Sequence, residues 1–360
     1  MPRTMVDWDL AVATATRIAG PGPAISRSEA RDTVEELRAD ATRSTGLVAE
    51  FTGLEATERT APVLVVDRSG WVQANADSFA DLIGPLIARL QERRGSGPAT
   101  GVADAVGSKV TGVEVGGLLG FLSSKVLGQF DPFYTGPGRP GDPEVSAGRL
   151  LLVAPNIVHV EHELGVDPTD FRLWVCLHDE THRVQFTAVP WMRDHIQSEV
   201  ERLLGSVDLD PGRVASMVGD AARRLGGVLR GDDDANLMEL FATPEQQEVM
   251  DRVTGVMSLL EGHADVVMDG VGPGVIPSVD AIRAKFNERR KGVGALDRLL
   301  RRLLGLEAKM AQYRDGAAFV RSVVGTVGMD GLNAVWSGPE HLPSRLEIGD
   351  PAAWVRRVHG

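Results

Sequence analysis

Leu177-His178-Asp179-Glu180-Thr181-His182-Arg183 stands in the middle of the chain, behind the mostly apolar run Phe171-Arg172-Leu173-Trp174-Val175-Cys176-Leu177. Two histidines four residues apart after such a run predict a helix that carries both imidazoles on one side. An α-helix advances roughly 100° per residue, so positions i and i+4 lie about 40° apart and both rings can reach one ion. Asp167-Pro168-Thr169-Asp170 supplies the start signal for this helix, and Pro190 ends or bends it.

Around this helix lie 360 residues, 43% hydrophobic and 24% charged, enough to bury a sizeable core. The formal net charge of −12 argues against general binding to nucleic acid or to an anionic membrane. The N-terminus has no signal-peptide core, because acidic residues interrupt it at once, and the glycine-rich stretch from Val113 to Phe130 is too short and too charged to span a bilayer. A cytoplasmic protein is expected. That stretch reads as a buried helix whose glycines allow close packing. Cys176, the single cysteine, rules out an intrachain disulfide and a cysteine-based metal site, and reads as a buried structural thiol.

The rest of the chain is overwhelmingly helical in pattern, with minor strand content. Residues 1–60 form an N-terminal helical segment, in which Ser28 caps a helix running towards Glu50. Pro62 to Asp67 suits a strand or an extended entry, and Asn75 to Arg94 a helix kinked or divided at Gly84-Pro85. Asp131 to Gly148 is a loop, Arg149 to Val153 a strand, and Pro155-Asn156-Ile157 a turn leading to a segment ambiguous between strand and helix. A strand just before the histidine helix would suit a peptidase, since strand edges bind extended peptides. Helices are further expected at Trp191–Leu204, Pro211–Leu229, Pro244–Met268, Ser278–Arg290, Ala295–Leu304 and Glu307–Val324, with an irregular, proline-punctuated tail from Pro339. Gly270-Val271-Gly272-Pro273-Gly274 is a helix terminator, since it lacks the Lys-Ser/Thr ending of a phosphate loop. The basic residues Arg289, Arg290, Lys291, Arg298, Arg301 and Arg302 read as a solvated helix face.

His178 and His182 match the zincin signature H-E-x-x-H, in which the Glu after the first His acts as general base on water polarised by the ion. A zinc site of this kind needs a third protein ligand. Leu260-Glu261-Gly262-His263-Ala264-Asp265 carries Glu261 and Asp265 at i and i+4, the gluzincin E-x-x-x-D pattern. There the Glu is the third ligand and the Asp stands behind a ligating histidine, fixing its tautomer. His263 is a rival ligand, about 200° around the helix from Glu261.

Taken together, residues 175–186 and 260–269 resemble an actinobacterial family of zincin-like metallopeptidases, part of which is associated with biosynthesis of the deazaflavin coenzyme. Gly128-Gln129-Phe130-Asp131, Gln312-Tyr313-Arg314-Asp315-Gly316 and Glu347 to Trp354 carry the same likeness, which runs from about residue 60 to the end. The resemblance implies a mainly α, zincin-like domain over residues 61–360 and a zinc hydrolase acting on a peptide or protein. It implies Zn2+ held by His178, His182 and Glu261, with Asp265 behind a histidine.

One departure matters. Where the family signature has Glu, this chain has Asp179, whose carboxylate is one methylene shorter, about 1.5 Å. Glu180 cannot replace it, because it points to the opposite side of the helix as a solvated or supporting charge. Asp179 is the candidate base. Tyr313, with Arg314 and His263 behind it, is the candidate electrophile for an oxyanion, or else a buried tyrosine with a satisfied hydroxyl. The other expectation is a zinc-holding pseudo-peptidase that binds or regulates a partner.

Overall fold

A computed structural model describes residues 6–56, 60–94, 101–136, 148–205, 244–291 and 306–360. Among these the protein is mainly helical, with one small sheet. In chain order the elements are α1 (Trp8–Ala19), α2 (Arg27–Thr52), β1 (Leu64–Val66), α3 (Arg68–Arg94), α4 (Gly101–Ser123), β2 (Gly128–Asp131), β3 (Arg149–Val153), α5 (Ala154–Leu164) and α6 (Pro168–Ala188). They continue with α7 (Trp191–Gly205), α8 (Pro244–Gly270), α9 (Val279–Lys291), α10 (Leu306–Leu332), α11 (Arg345–Gly349) and α12 (Pro351–His359). Two compact units result, residues 1–190 with 263–293 and residues 191–262 with 294–360.

In the first unit the sheet has the order β1-β3-β2, with β1 parallel and β2 antiparallel to β3. All five residues of β3 are buried, as a central strand covered on both faces requires. Leu151 and Val153 join Ala15, Trp71, Val72, Ala74 and Leu119 in one core cluster. Leu150 and Leu152 point to the other face by the two-residue period of a strand. Truncating any of these leucines to Ala is expected to cost about 2–5 kcal/mol.

Helix α4 packs on α1 through a stripe of glycines one turn apart. A Cβ on Gly112 would meet the Asp7 carbonyl oxygen at 2.7 Å, one on Gly116 the Thr14 Cβ at 2.7 Å, and one on Gly120 the Ile18 Cβ at 2.7 Å. Close packing by glycine is thus as expected, but the helix ends at Ser123, Val113 is 48% exposed, and Gly128 to Asp131 are strand.

Helix α6 is the axis of this unit: fourteen of its residues are buried. Asp167 caps it by accepting from the Asp170 N–H at 3.0 Å, with Pro168 in the first turn. Strand β2 lies along one side of it. The two-residue period turns Phe130 onto Phe186, with ring centroids 5.8 Å apart, and Gly128 onto Asp179. Gln129 faces away, accepting from Trp71 Nε1 at 2.8 Å and donating to Asn75 Oδ1 at 3.0 Å.

Several expectations need correction. Pro155 opens a helix, because proline at a first helical position has no N–H to waste, so residues 154–164 are α5 and neither turn nor strand. Ser26, not Ser28, caps α2, accepting from the Glu29 N–H at 3.1 Å. Residues 68–94 form a single helix across Gly84-Pro85. The tail is regular: Ser344 and Glu347 form a reciprocal capping box for α11, and Asp350 with Pro351 starts α12. The helices expected at 211–229 and 295–304, and Arg298, Arg301 and Arg302, lie outside the described residues.

In the second unit α8 and α10 cross at two glycines. A Cβ on Gly262 would overlap the Gly316 backbone, and one on Gly316 would overlap the Ser258 carbonyl. Arg252 pairs with buried Glu199 of α7 at 2.9 Å, and Trp354 of α12 is fully buried beside Phe319 of α10.

Candidate metal centre

His178 and His182 project from one side of α6, half-buried, with ring centroids 4.8 Å apart and planes at 89°. Their Nε2 atoms are 3.3 Å apart. Two nitrogens bound to one tetrahedral zinc at 2.0–2.1 Å would stand about 3.3–3.4 Å apart. Glu261 of α8 completes the group: one ligand atom from each of His178, His182 and Glu261 lies within 4.8 Å of the others. Two imidazoles and a carboxylate are a donor set found at catalytic zinc sites.

Behind His182 stands a residue that the sequence reading did not single out. Gln185 is fully buried; its Oε1 lies 2.9 Å from His182 Nδ1 and its Nε2 lies 3.0 Å from His263 Nδ1. His263, considered as a rival ligand, is also fully buried, and burial together with His182 pushes its pKa down to about 3. It is therefore a neutral imidazole at physiological pH. The only available signal for Gln185 was a polar residue in the apolar stretch Val184-Gln185-Phe186.

Asp265, expected behind a histidine, is held by Arg283 of α9, whose Nη1 donates to its Oδ1 at 2.7 Å. The same guanidinium donates to Asp269 at 2.9 Å and lies 5.0 Å from the Trp174 ring centroid. The end of α8, α9 and α6 are tied together at this point.

Asp179 is buried, with its carboxylate against the Cα of Gly128 at the start of β2. A Cβ at position 128 would overlap that carboxylate. Glu180 next to it is also buried and not solvated. It accepts from Arg183 Nε at 2.8 Å and from the Thr45 hydroxyl at 2.5 Å, on the far side of the helix from the histidines. Cys176 is buried with its thiol pKa well above the ordinary value because of desolvation, which suits an inert structural role. The Tyr313 and Arg314 side chains lie outside the described residues; the helix carrying them, α10, meets Gly262 one turn further on, at Gly316.

A buried helix with two histidines one turn apart and a carboxylate from a second helix make a group that could hold a metal ion. The chain belongs to the zincin-like metallopeptidase family, whose model matches residues 6–355. Membership implies zinc-dependent hydrolysis. Among solved structures it is similar to a candidate hydrolase with a novel fold from Chloroflexus aurantiacus, at 32% identity and TM-score 0.68, over 98% of each chain. No curated protein matches. No helix among the described residues is long and apolar enough to cross a membrane.

Proposed function

We propose that the protein is a zinc-dependent peptide hydrolase in which His178, His182 and Glu261 hold the ion and Asp179 handles the proton. The observation that carries this reading is the convergence of two imidazole Nε2 atoms at 3.3 Å, with Glu261 in reach. When bound, the ion supplies a Lewis acid that polarises a carbonyl oxygen and lowers the pKa of water. Asp179 takes the proton from the attacking water and passes it to the leaving amine. Its shorter arm is offset by position, since the bare Cα of Gly128 lets the carboxylate lie against the strand. The peptide lies along β2, an edge of the sheet β1-β3-β2, which brings its backbone past Asp179. Tyr313, on the helix that crosses at Gly262, is the proposed donor to the oxyanion. The substrate is an unidentified cytoplasmic peptide or protein, and neither nucleic acid nor a membrane takes part. The deazaflavin association adds no residue to this centre.

The second reading, a pseudo-peptidase that keeps zinc and binds a partner, draws on the same Asp179, buried at 4% exposure and one methylene short. Incubation with a mixed peptide pool separates the two. The hydrolase reading expects cleavage that a chelator and Asp179→Ala both abolish. Stoichiometric zinc with no turnover on the pool would favour the binding protein.

A further inference from the structure

Gln185 is an amide with a donor end and an acceptor end, wedged between two imidazoles. Its Oε1 can only accept, so the His182 nitrogen 2.9 Å away, Nδ1, carries the proton. Its Nε2 can only donate, so His263 Nδ1, 3.0 Å away, is a lone pair. A neutral imidazole has one of each, so His182 is left with a bare Nε2, the atom 3.3 Å from His178 Nε2. The reverse assignment would put a proton on that Nε2 and turn the two histidines into an ordinary hydrogen-bonded pair. The ligand role of His182 selects the first, because only that orientation leaves an Nε2 lone pair facing the point it shares with His178. His263, fully buried, then holds the other end of the amide.

We propose that Gln185 is the positioning residue of the metal centre: anchored on His263, its amide locks His182 in the Nδ1–H tautomer and aims the Nε2 lone pair at the ligand position. This rests on His178 and His182 holding the metal. It gives His263 a role as the anchor of the support, and it places the support for His182 on α6 itself. Partners of this kind typically change metal affinity by about 10- to 100-fold when removed.

The test uses the full-length, metal-free protein labelled with 15N-histidine, with long-range proton–nitrogen correlation spectra read at His182 and His263. Wild type is expected to show His182 protonated at Nδ1 and His263 at Nε2. Gln185→Leu should lose the Nδ1–H form at His182 and weaken zinc binding about 10- to 100-fold in a chelator competition. Gln185→Glu, whose carboxylate still accepts from Nδ1–H, should keep the His182 tautomer, restore affinity to within a few-fold, and move the His263 proton to Nδ1. It also keeps the test decisive if the leucine variant does not fold. A wild-type His182 protonated at Nε2, or a leucine variant that binds zinc as wild type does, would overturn the proposal. If wild type takes up no zinc, the metal-hydrolase reading fails, and the His182 tautomer still decides whether Gln185 holds the ring.

Discussion

Two buried polar stripes run along α6, and they are built on opposite plans. On the side facing α2, charges are spent on each other: Arg172 donates to Glu161 at 3.0 Å and pairs with Glu36, and Glu180 is gripped by Arg183 and Thr45. On the other side, His178 and His182 turn like nitrogens towards one another, and Gln185 secures one of them from behind. Asp179 and Glu180 are neighbours in sequence and belong to different stripes. Buried acids therefore do not mark function by burial alone. What separates the stripes is whether the groups finish with opposite charges or with donor atoms converging on a shared point.

If this contrast is right, the two neighbouring acids should fail differently. Asp179→Asn should lower turnover by about 100-fold or more while zinc content stays at the wild-type level, read from initial rates beside elemental analysis. Glu180→Ala should leave zinc affinity unchanged and destabilise the fold by about 2–3 kcal/mol in denaturant melts, since the half-buried Arg183 would lose its carboxylate and keep only Thr45. A Glu180 variant that loses zinc but melts normally would erase the distinction.

Gly128→Ala sharpens it further. The added Cβ must displace the Asp179 carboxylate or the strand, and a shift of about 1 Å can reduce turnover about 100-fold with zinc retained. The smallest effect belongs to Asp40, on the α2 side. Burial, and secondarily Glu36, raises its pKa to about 6, and its Oδ2 has no hydrogen-bond partner among the described residues. The unfolded chain ionises near 3.8 and the folded chain near 6, so this group's contribution to stability falls as pH rises through that window. Asp40→Asn should therefore stabilise the protein above pH 6 by on the order of 2 kcal/mol, with the difference vanishing below pH 4.

The histidine helix was legible because its signals are local: a cap, an apolar body, a spacing of four. Strand β3 was legible for the same reason, as a short aliphatic run that follows a proline- and glycine-rich loop. Pro155 and Pro351 misled, reading as breakers until the helix that follows is seen, whereas Pro168, behind the capping Asp167, was read as a helix start. Glu180 read as a solvated or supporting charge because its partner Thr45 lies 135 residues away, and Gln185 went unnoticed because His263 does. Sequence periodicity shows which face a residue occupies, and long-range pairing decides what that face meets. Glu261 stood between these cases, suggested by its spacing to Asp265 and by family resemblance, and brought within reach of the histidines only by the fold.

The most direct test is the metal content of the purified protein by elemental analysis, with His178→Ala and Glu261→Ala measured beside wild type. About one zinc per chain in wild type and far less in both variants is the expected result. No metal in wild type after zinc is supplied, or full zinc content in both variants, would contradict the account.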